Sequence, residues 1–255
     1  MEKENKFNHN QDWDFYMSNV DDAIGSFFID LGLREIAPVV GRSNVAWVSI
    51  TMQNPQENGL SSDEESELLF ALEDNVVNDI INECDAIYAG RLTSAGMRQL
   101  YFYVGDAEKC QKTVVRSMSK YPSYEFDFGY KEDKKWSAYF DFLFPLPNEI
   151  QMIMSGRVIR QLEQQGDNLT KERMVDHWIY FDTEHDMQNY ISEIKKQGFK
   201  VINSEQDEDK SYVLHVERLD KVDYHSVNDY VLYLWELAGE HNGVYDGWGC
   251  NVIKE

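Results

Sequence analysis

Met174-Val175-Asp176-His177-Trp178-Ile179-Tyr180-Phe181 is the stretch on which the fold turns. It reads as a strand. Thr183 then stands where a helix N-cap belongs, and Met187, Tyr190, Ile191 and Ile194 form an apolar stripe that Gly198 closes. Phe199 to Ser204 reads as a second strand, Glu205 to Lys210 as an acidic turn, and Tyr212 to Glu217 as a third strand. A helix over about 224–241 is striped by Val227, Val231, Leu234 and Ala238, and Val244 to Ile253 is the last strand. The order is β-α-β-β-α-β. It is the ferredoxin-like arrangement, with two helices on one face of an antiparallel sheet.

Moving toward the N-terminus, the same order recurs between Ala46 and Tyr130. Ala46, Val48, Ile50 and Met52 alternate on one strand face. Ser62 and Glu65 have capping-box spacing, and Leu68, Leu72, Val76 and Ile80 continue as a helical stripe. Strands near 86–92 and 98–104 flank Thr93-Ser94-Ala95-Gly96. Asp106 caps a helix striped by Ala107, Cys110, Val114 and Met118. Tyr124, Phe126, Phe128 and Tyr130 form a strand, and Trp136, Ala138, Phe140, Phe142 and Phe144 predict another. Ahead of this core, Trp13, Phe15 and Met17, then Phe27, Ile29 and Leu31, predict a hairpin turning at Asp21-Asp22.

Pro145 and Pro147 break the pattern. Asn148 can cap a connecting helix over about 149–165, with Ile150, Met154, Val158 and Leu162 as its apolar face. The expected organisation is therefore α+β, with two tandem ferredoxin-like domains. Residues 1–146 form the first, 147–172 a connecting helix and linker, and 173–255 the second.

The chain has 255 residues, 46 acidic and 24 basic, for a net charge of −22. Both halves carry the excess. Direct nucleic-acid binding needs a basic footprint, and the basic clusters are no larger than Lys134-Lys135 and Lys195-Lys196. Nucleic acid and anionic membranes are poor partners for such a chain, whereas a basic protein surface suits it. No apolar run is long enough to span a bilayer, and the N-terminus carries no apolar signal segment. A cytoplasmic protein is expected. Cys84, Cys110 and Cys250 match no metal or redox spacing and read as buried free thiols.

Catalytic signatures are missing. The chain holds no nucleophile elbow, phosphate loop, dinucleotide fingerprint or zinc-protease motif. None of its six histidines pairs with another at helical metal spacing. No cofactor, metal or catalytic residue is expected. His215 reads as a surface histidine on its strand, and Asp207-Glu208-Asp209 as a solvated hairpin tip.

One pentapeptide stands apart: Tyr245-Asp246-Gly247-Trp248-Gly249. Two glycines around a tryptophan inside a strand point to a bulge or a close backbone approach. One reading packs Trp248 under a helix, with Asp246 satisfying amides at the bulge. The other makes the motif an exposed aromatic and acidic patch for a partner, since Tyr and Trp are enriched among binding hot spots.

At this motif the second half resembles regulator of ribonuclease activity B. The likeness covers roughly 170–255 and includes Asp176 to Phe181, Gly198-Phe199 and the helix running into Tyr245 to Gly249. It implies binding to ribonuclease E and lowering of its activity, with no active site. The inhibitor family carries an acidic C-terminal extension, whereas this sequence stops at Glu255. The first half resembles an uncharacterised bacterial domain family through Gly90-Arg91-Leu92-Thr93, Gly96, Arg98, Tyr101-Phe102-Tyr103, Trp136, Tyr139, Asp141-Phe142-Leu143 and Pro145; it implies a fold and no activity. The leading expectation is a non-enzymatic regulator with a protein partner, bound through Tyr245, Asp246, Gly247, Trp248 and Gly249. Two others stand beside it. One is a hydrolase or transferase using Asp246, His177, His241 and Arg91 between the domains. The other is a small-ligand sensor.

Overall fold

Strands β1 (Trp13–Val20) and β2 (Ala23–Asp30) pair around Asp21 and Asp22, which both take positive φ. This hairpin opens the computed structural model of the chain, which describes residues 9–206 and 211–254. The next elements are β3 (Asn44–Thr51), α1 (Asp63–Cys84), β4 (Ile87–Ser94), β5 (Met97–Val104), α2 (Ala107–Met118) and β6 (Phe126–Glu132). The six strands form one antiparallel sheet in the order β1-β2-β4-β5-β3-β6. Without the hairpin, the order of the last four is ferredoxin-like. Helices α1 and α2 pack on each other and cover one face. Leu69, Leu72, Val76 and Ile80 there meet Val48, Ile50, Leu100 and Phe102, as alternation along the strands requires.

The second unit begins at Pro147, and the first ends at Leu146. It comprises α3 (Pro147–Gln164), β7 (Arg173–Phe181), α4 (Glu184–Ile194), β8 (Lys200–Gln206), β9 (Tyr212–Asp220), α5 (Tyr224–Glu240) and β10 (Gly243–Cys250). Its sheet runs β10-β7-β9-β8, all antiparallel, which is the ferredoxin-like order again. Val175, Ile179, Phe181, Leu214 and Val216 turn inward against Met187, Tyr190, Val227 and Leu234. Thr183 and Asp223 cap α4 and α5, each side chain accepting the amide three residues on at 3.1 Å. Gly198 ends the helical segment at φ +86°. The chain is thus two tandem ferredoxin-like α+β domains.

Several local expectations are corrected. The aromatic run after β6 is not a strand: Ala138–Leu143 is a π-helical turn. Asp133 accepts the Ser137 and Ala138 amides at 2.8 and 2.9 Å, satisfying donors that would otherwise be orphaned. Trp136 stacks on Tyr103 at 3.7 Å. In β1 the buried face is Asp14 and Tyr16, and Phe15 is 46% exposed. Ser62 makes no side-chain cap bond. Glu65 instead accepts the Gln53 and Asn54 amides, each at 2.8 Å, and ties down the loop before the helix. Asn148 lies inside α3, which starts at Pro147, where a missing amide costs nothing. The last strand ends at Cys250 rather than Ile253. There the Ile253 amide donates to Asp167, whose carboxylate is buried beside Arg173. Cys84 and Cys110 are buried as expected, while Cys250 is half-buried. The acidic tip Asp207-Glu208-Asp209 lies outside the described residues.

Candidate functional site

The pentapeptide lies on β10, which among the described residues is an edge strand paired only with β7. Its register with β7 shifts between Tyr245 and Gly247, so Asp246 is the extra residue of a β-bulge. Gly247 holds φ +135°, a conformation that only glycine adopts at little cost, and no atom approaches its missing side chain within 4 Å. The expected bulge is therefore present, and it faces open space.

The bulge sorts the motif into two parts. Tyr245 and Trp248 turn inward and are 6% and 8% exposed. The Trp248 indole donates to Ser155 Oγ on α3 at 3.2 Å, so the ring is packed under a helix. Tyr245 shares a hydrogen bond of 2.9 Å with His177 Nδ1. Asp246 is exposed, and among the described residues its carboxylate satisfies no amide of the bulge. The rings therefore form a floor rather than a projecting patch.

Two cavities open along this floor. One, of about 550 Å³, runs between α3 and β10, over Ile150, Met154 and Val158 on one side and Tyr245 to Trp248 on the other. The second, of about 660 Å³, continues past Gln151 and Tyr245 to Trp235, Glu236 and Glu240 on α5. Of the expected apolar face Ile150, Met154, Val158 and Leu162, Leu162 enters the core and Val158 packs against it, whereas Met154 is 52% exposed; Ile159, outside that stripe, is in the core as well. Carboxylates of Glu236, Glu240 and Asp246 border the groove. Among the described residues none of the three is ion-paired, and no lysine or arginine lines either cavity. Chemically, this is an apolar trough with an anionic rim.

Of the residues weighed for catalysis, Asp246 borders the groove, and His177 is bonded to Tyr245 beneath its floor. Burial pushes the pKa of His177 down to about 3, helped by Arg218. Its ring is enclosed by Phe199, Tyr230 and Tyr245, and among the described residues Nε2 has no hydrogen-bond partner. Arg91, in the first unit, is bound to Glu73 at 3.0 Å and sits between the rings of Phe28 and Phe70. His241 follows α5, against Tyr190. His215, expected at the surface, is half-buried; it pairs with Asp176 at 2.6 Å and stacks on Trp178. Among the described residues no three His, Cys, Asp or Glu side chains come together as a metal site, and no helix is long and apolar enough to cross a membrane. Sequence reasoning missed the α3 and α5 walls of the groove. Met154 was visible as an apolar residue, but its exposure was not.

Two family profiles match the chain. Residues 11–144 match the profile of a family of unknown function, DUF695. Residues 152–250 match that of regulator of ribonuclease activity B, a range that takes in α3 from Met152 onward, Ser155 and the whole pentapeptide. No curated protein matches the chain. A crystal structure of a proposed glycine cleavage system transcriptional repressor aligns over 82% of this chain and 98% of its own, at 8% identity and a TM-score of 0.24. A protein of unknown role from Galdieria sulphuraria aligns over 83% of this chain and 98% of its own, at 8% identity and a TM-score of 0.21.

Proposed function

The chain belongs to the DUF695 family and carries a C-terminal region matched to regulator of ribonuclease activity B, and from that premise we propose that it is a non-enzymatic regulator acting through protein contact. Its target is a ribonuclease E-type enzyme or another basic protein surface. One observation carries the reading: an apolar trough floored by Tyr245 and Trp248 is rimmed by three carboxylates without a cation among them. A segment with large apolar side chains fills such a trough, and its Lys or Arg residues meet the rim. A chain of net charge −22 also steers toward a basic partner before contact. The same reading places the protein in the cytoplasm, where its free thiols stay reduced.

The test uses the full chain and purified ribonuclease E. The protein should form a complex at low salt and slow RNA cleavage. The effect should fade as ionic strength rises and the Debye length falls to about 8 Å at 0.15 M. Reversing the rim with Asp246→Lys and Glu240→Lys should weaken the complex without unfolding the chain, because Asp246 and Glu240 are both exposed. Absence of a complex at low salt removes the reading.

A further inference from the structure

We propose that the first unit holds a small-molecule site whose ligand is a planar-ring compound carrying both a carboxylate and an amine. The site is a slot of about 400 Å³ on the sheet face opposite α1 and α2, at the open end of the π-helical turn. That volume falls within the range of ordinary ligand sites. The proposal is independent of the protein contact assigned to the second unit.

Aromatic rings form the floor. Trp47 covers Gly129, where a Cβ would stand only 2.3 Å from the indole, so the ring rests on bare backbone. Tyr101 and Phe142, with centroids 5.9 Å apart, close one side. The Tyr101 hydroxyl donates to Gln99 Oε1 at 3.0 Å, and Gln99 Nε2 donates to Ser49 Oγ at 3.1 Å. This relay holds the phenol in place and leaves its oxygen as an acceptor. The turn that walls the slot spends its first amides on Asp133, so side chains rather than backbone must supply the remaining polarity.

That polarity has both signs. Lys131 and Asp141 line the slot; among the described residues neither makes a salt bridge, although the Lys131 charge also acts on the Asp133 carboxylate. A flat ring stacks on Trp47 and buries the floor. A carboxylate on the ligand meets Lys131, and an amine meets Asp141 and the Tyr101 oxygen. A purely anionic or purely cationic ligand leaves one rim charge unanswered. An aliphatic ligand forfeits the ring face. An aromatic amino acid has the required size and groups.

Isothermal titration calorimetry of the full chain tests this with L-tryptophan, indole-3-acetate, tryptamine and L-leucine. L-Tryptophan should bind most tightly. Each single-charge indole should bind about fivefold more weakly, the worth of one exposed ion pair. Trp47→Leu and Phe142→Ala should each weaken L-tryptophan by about tenfold or more, a loss of the size that stacked rings contribute. Phe142 is 40% exposed, so its variant keeps the fold if Trp47→Leu does not. Lys131→Gln should weaken indole-3-acetate and spare tryptamine, and Asp141→Asn the reverse. Trp248→Phe in the other unit should change nothing. Failure of all four compounds to bind at millimolar concentration overturns the proposal. So does L-leucine binding as tightly as L-tryptophan, or L-tryptophan binding unaffected by Phe142→Ala.

Discussion

The two ferredoxin-like cores carry the same device on an edge strand and finish it in opposite ways. In β4 the register shifts between Tyr88 and Gly90, with Gly90 at φ +153°. In β10 it shifts between Tyr245 and Gly247, with Gly247 at φ +135°. Each bulge adds one residue just before a positive-φ glycine. In the first unit that residue is Ala89, fully buried, next to the Gly90 end of the ladder that β2 forms with β4. In the second it is Asp246, exposed, because among the described residues no strand pairs beyond β10. An unpaired edge exposes backbone donors and acceptors that invite another chain, and natural sheets cover or charge such edges. The first unit covers its edge, and the second leaves it charged beside a trough. The comparison teaches that a bulge by itself signals neither function nor structure; what the chain places next to it decides.

What lies behind each edge differs as well. Behind β4, Glu73 binds Arg91 and the buried Arg98 at 3.0 and 3.2 Å. Behind β10 the buried polar pair is neutral, His177 with Tyr245. The largest test of this contrast is acid. The folded pKa of His177 lies below its ordinary value of 6.5, so its contribution is complete above pH 6.5 and drains away as pH falls toward 3. The loss should approach about 5 kcal/mol at the acid limit. Asp167 and Asp223 in the same unit, and Asp133 in the first, are also held below the usual carboxylate range and lose their contributions at lower pH. Urea unfolding followed by NMR of β7 should therefore show a drop that begins just below pH 6.5, and His177→Phe should remove that early part; an unchanged onset in the variant would clear His177.

Next in size is Glu73→Ala, which strands two guanidinium groups and should cost about 3–5 kcal/mol, read from the urea midpoint of the first unit. Gly90→Ala follows. Its Cβ would stand 2.5 Å from the Phe28 carbonyl oxygen, on top of the backbone strain, for about 3 kcal/mol. Gly247→Ala meets open space and should pay only for its φ, about 1–2 kcal/mol. Equal costs at the two glycines would break the comparison of sealed and open edges. The smallest effect belongs to Asp246→Asn. Stability should stay within about 0.5 kcal/mol, as for surface substitutions generally, while the salt dependence of partner binding becomes shallower.

Much of this architecture was legible because its signals are local. The stripes Leu72-Val76-Ile80 and Val227-Val231-Leu234 and the caps Asp106 and Thr183 depend on neighbours a few residues away. The pentapeptide announced its bulge through its glycines. The misreadings share a cause. Trp136 to Phe144 alternates like a strand, yet the Asp133 carboxylate caps two consecutive amides and winds the segment into a turn. Ile150, Met154 and Val158 repeat like a buried stripe, yet they line the groove. Periodicity reports that one face is apolar without saying what covers it.

The order of strands and helices within each ferredoxin-like core and the anionic character of the chain were already determined by the sequence, since backbone hydrogen bonding and the period of apolar residues act over short separations. Which edge is sealed, which ring of the pentapeptide is hidden and which carboxylate is left outside were decided only by the tertiary structure. Trp248 lies buried against α3, where Ser155, 93 residues earlier, receives its indole proton, and Ala89 lies buried at the end of the ladder that β2 forms with β4. Burial depends on what distant segments bring to a surface, and nothing in a residue's immediate neighbours records that.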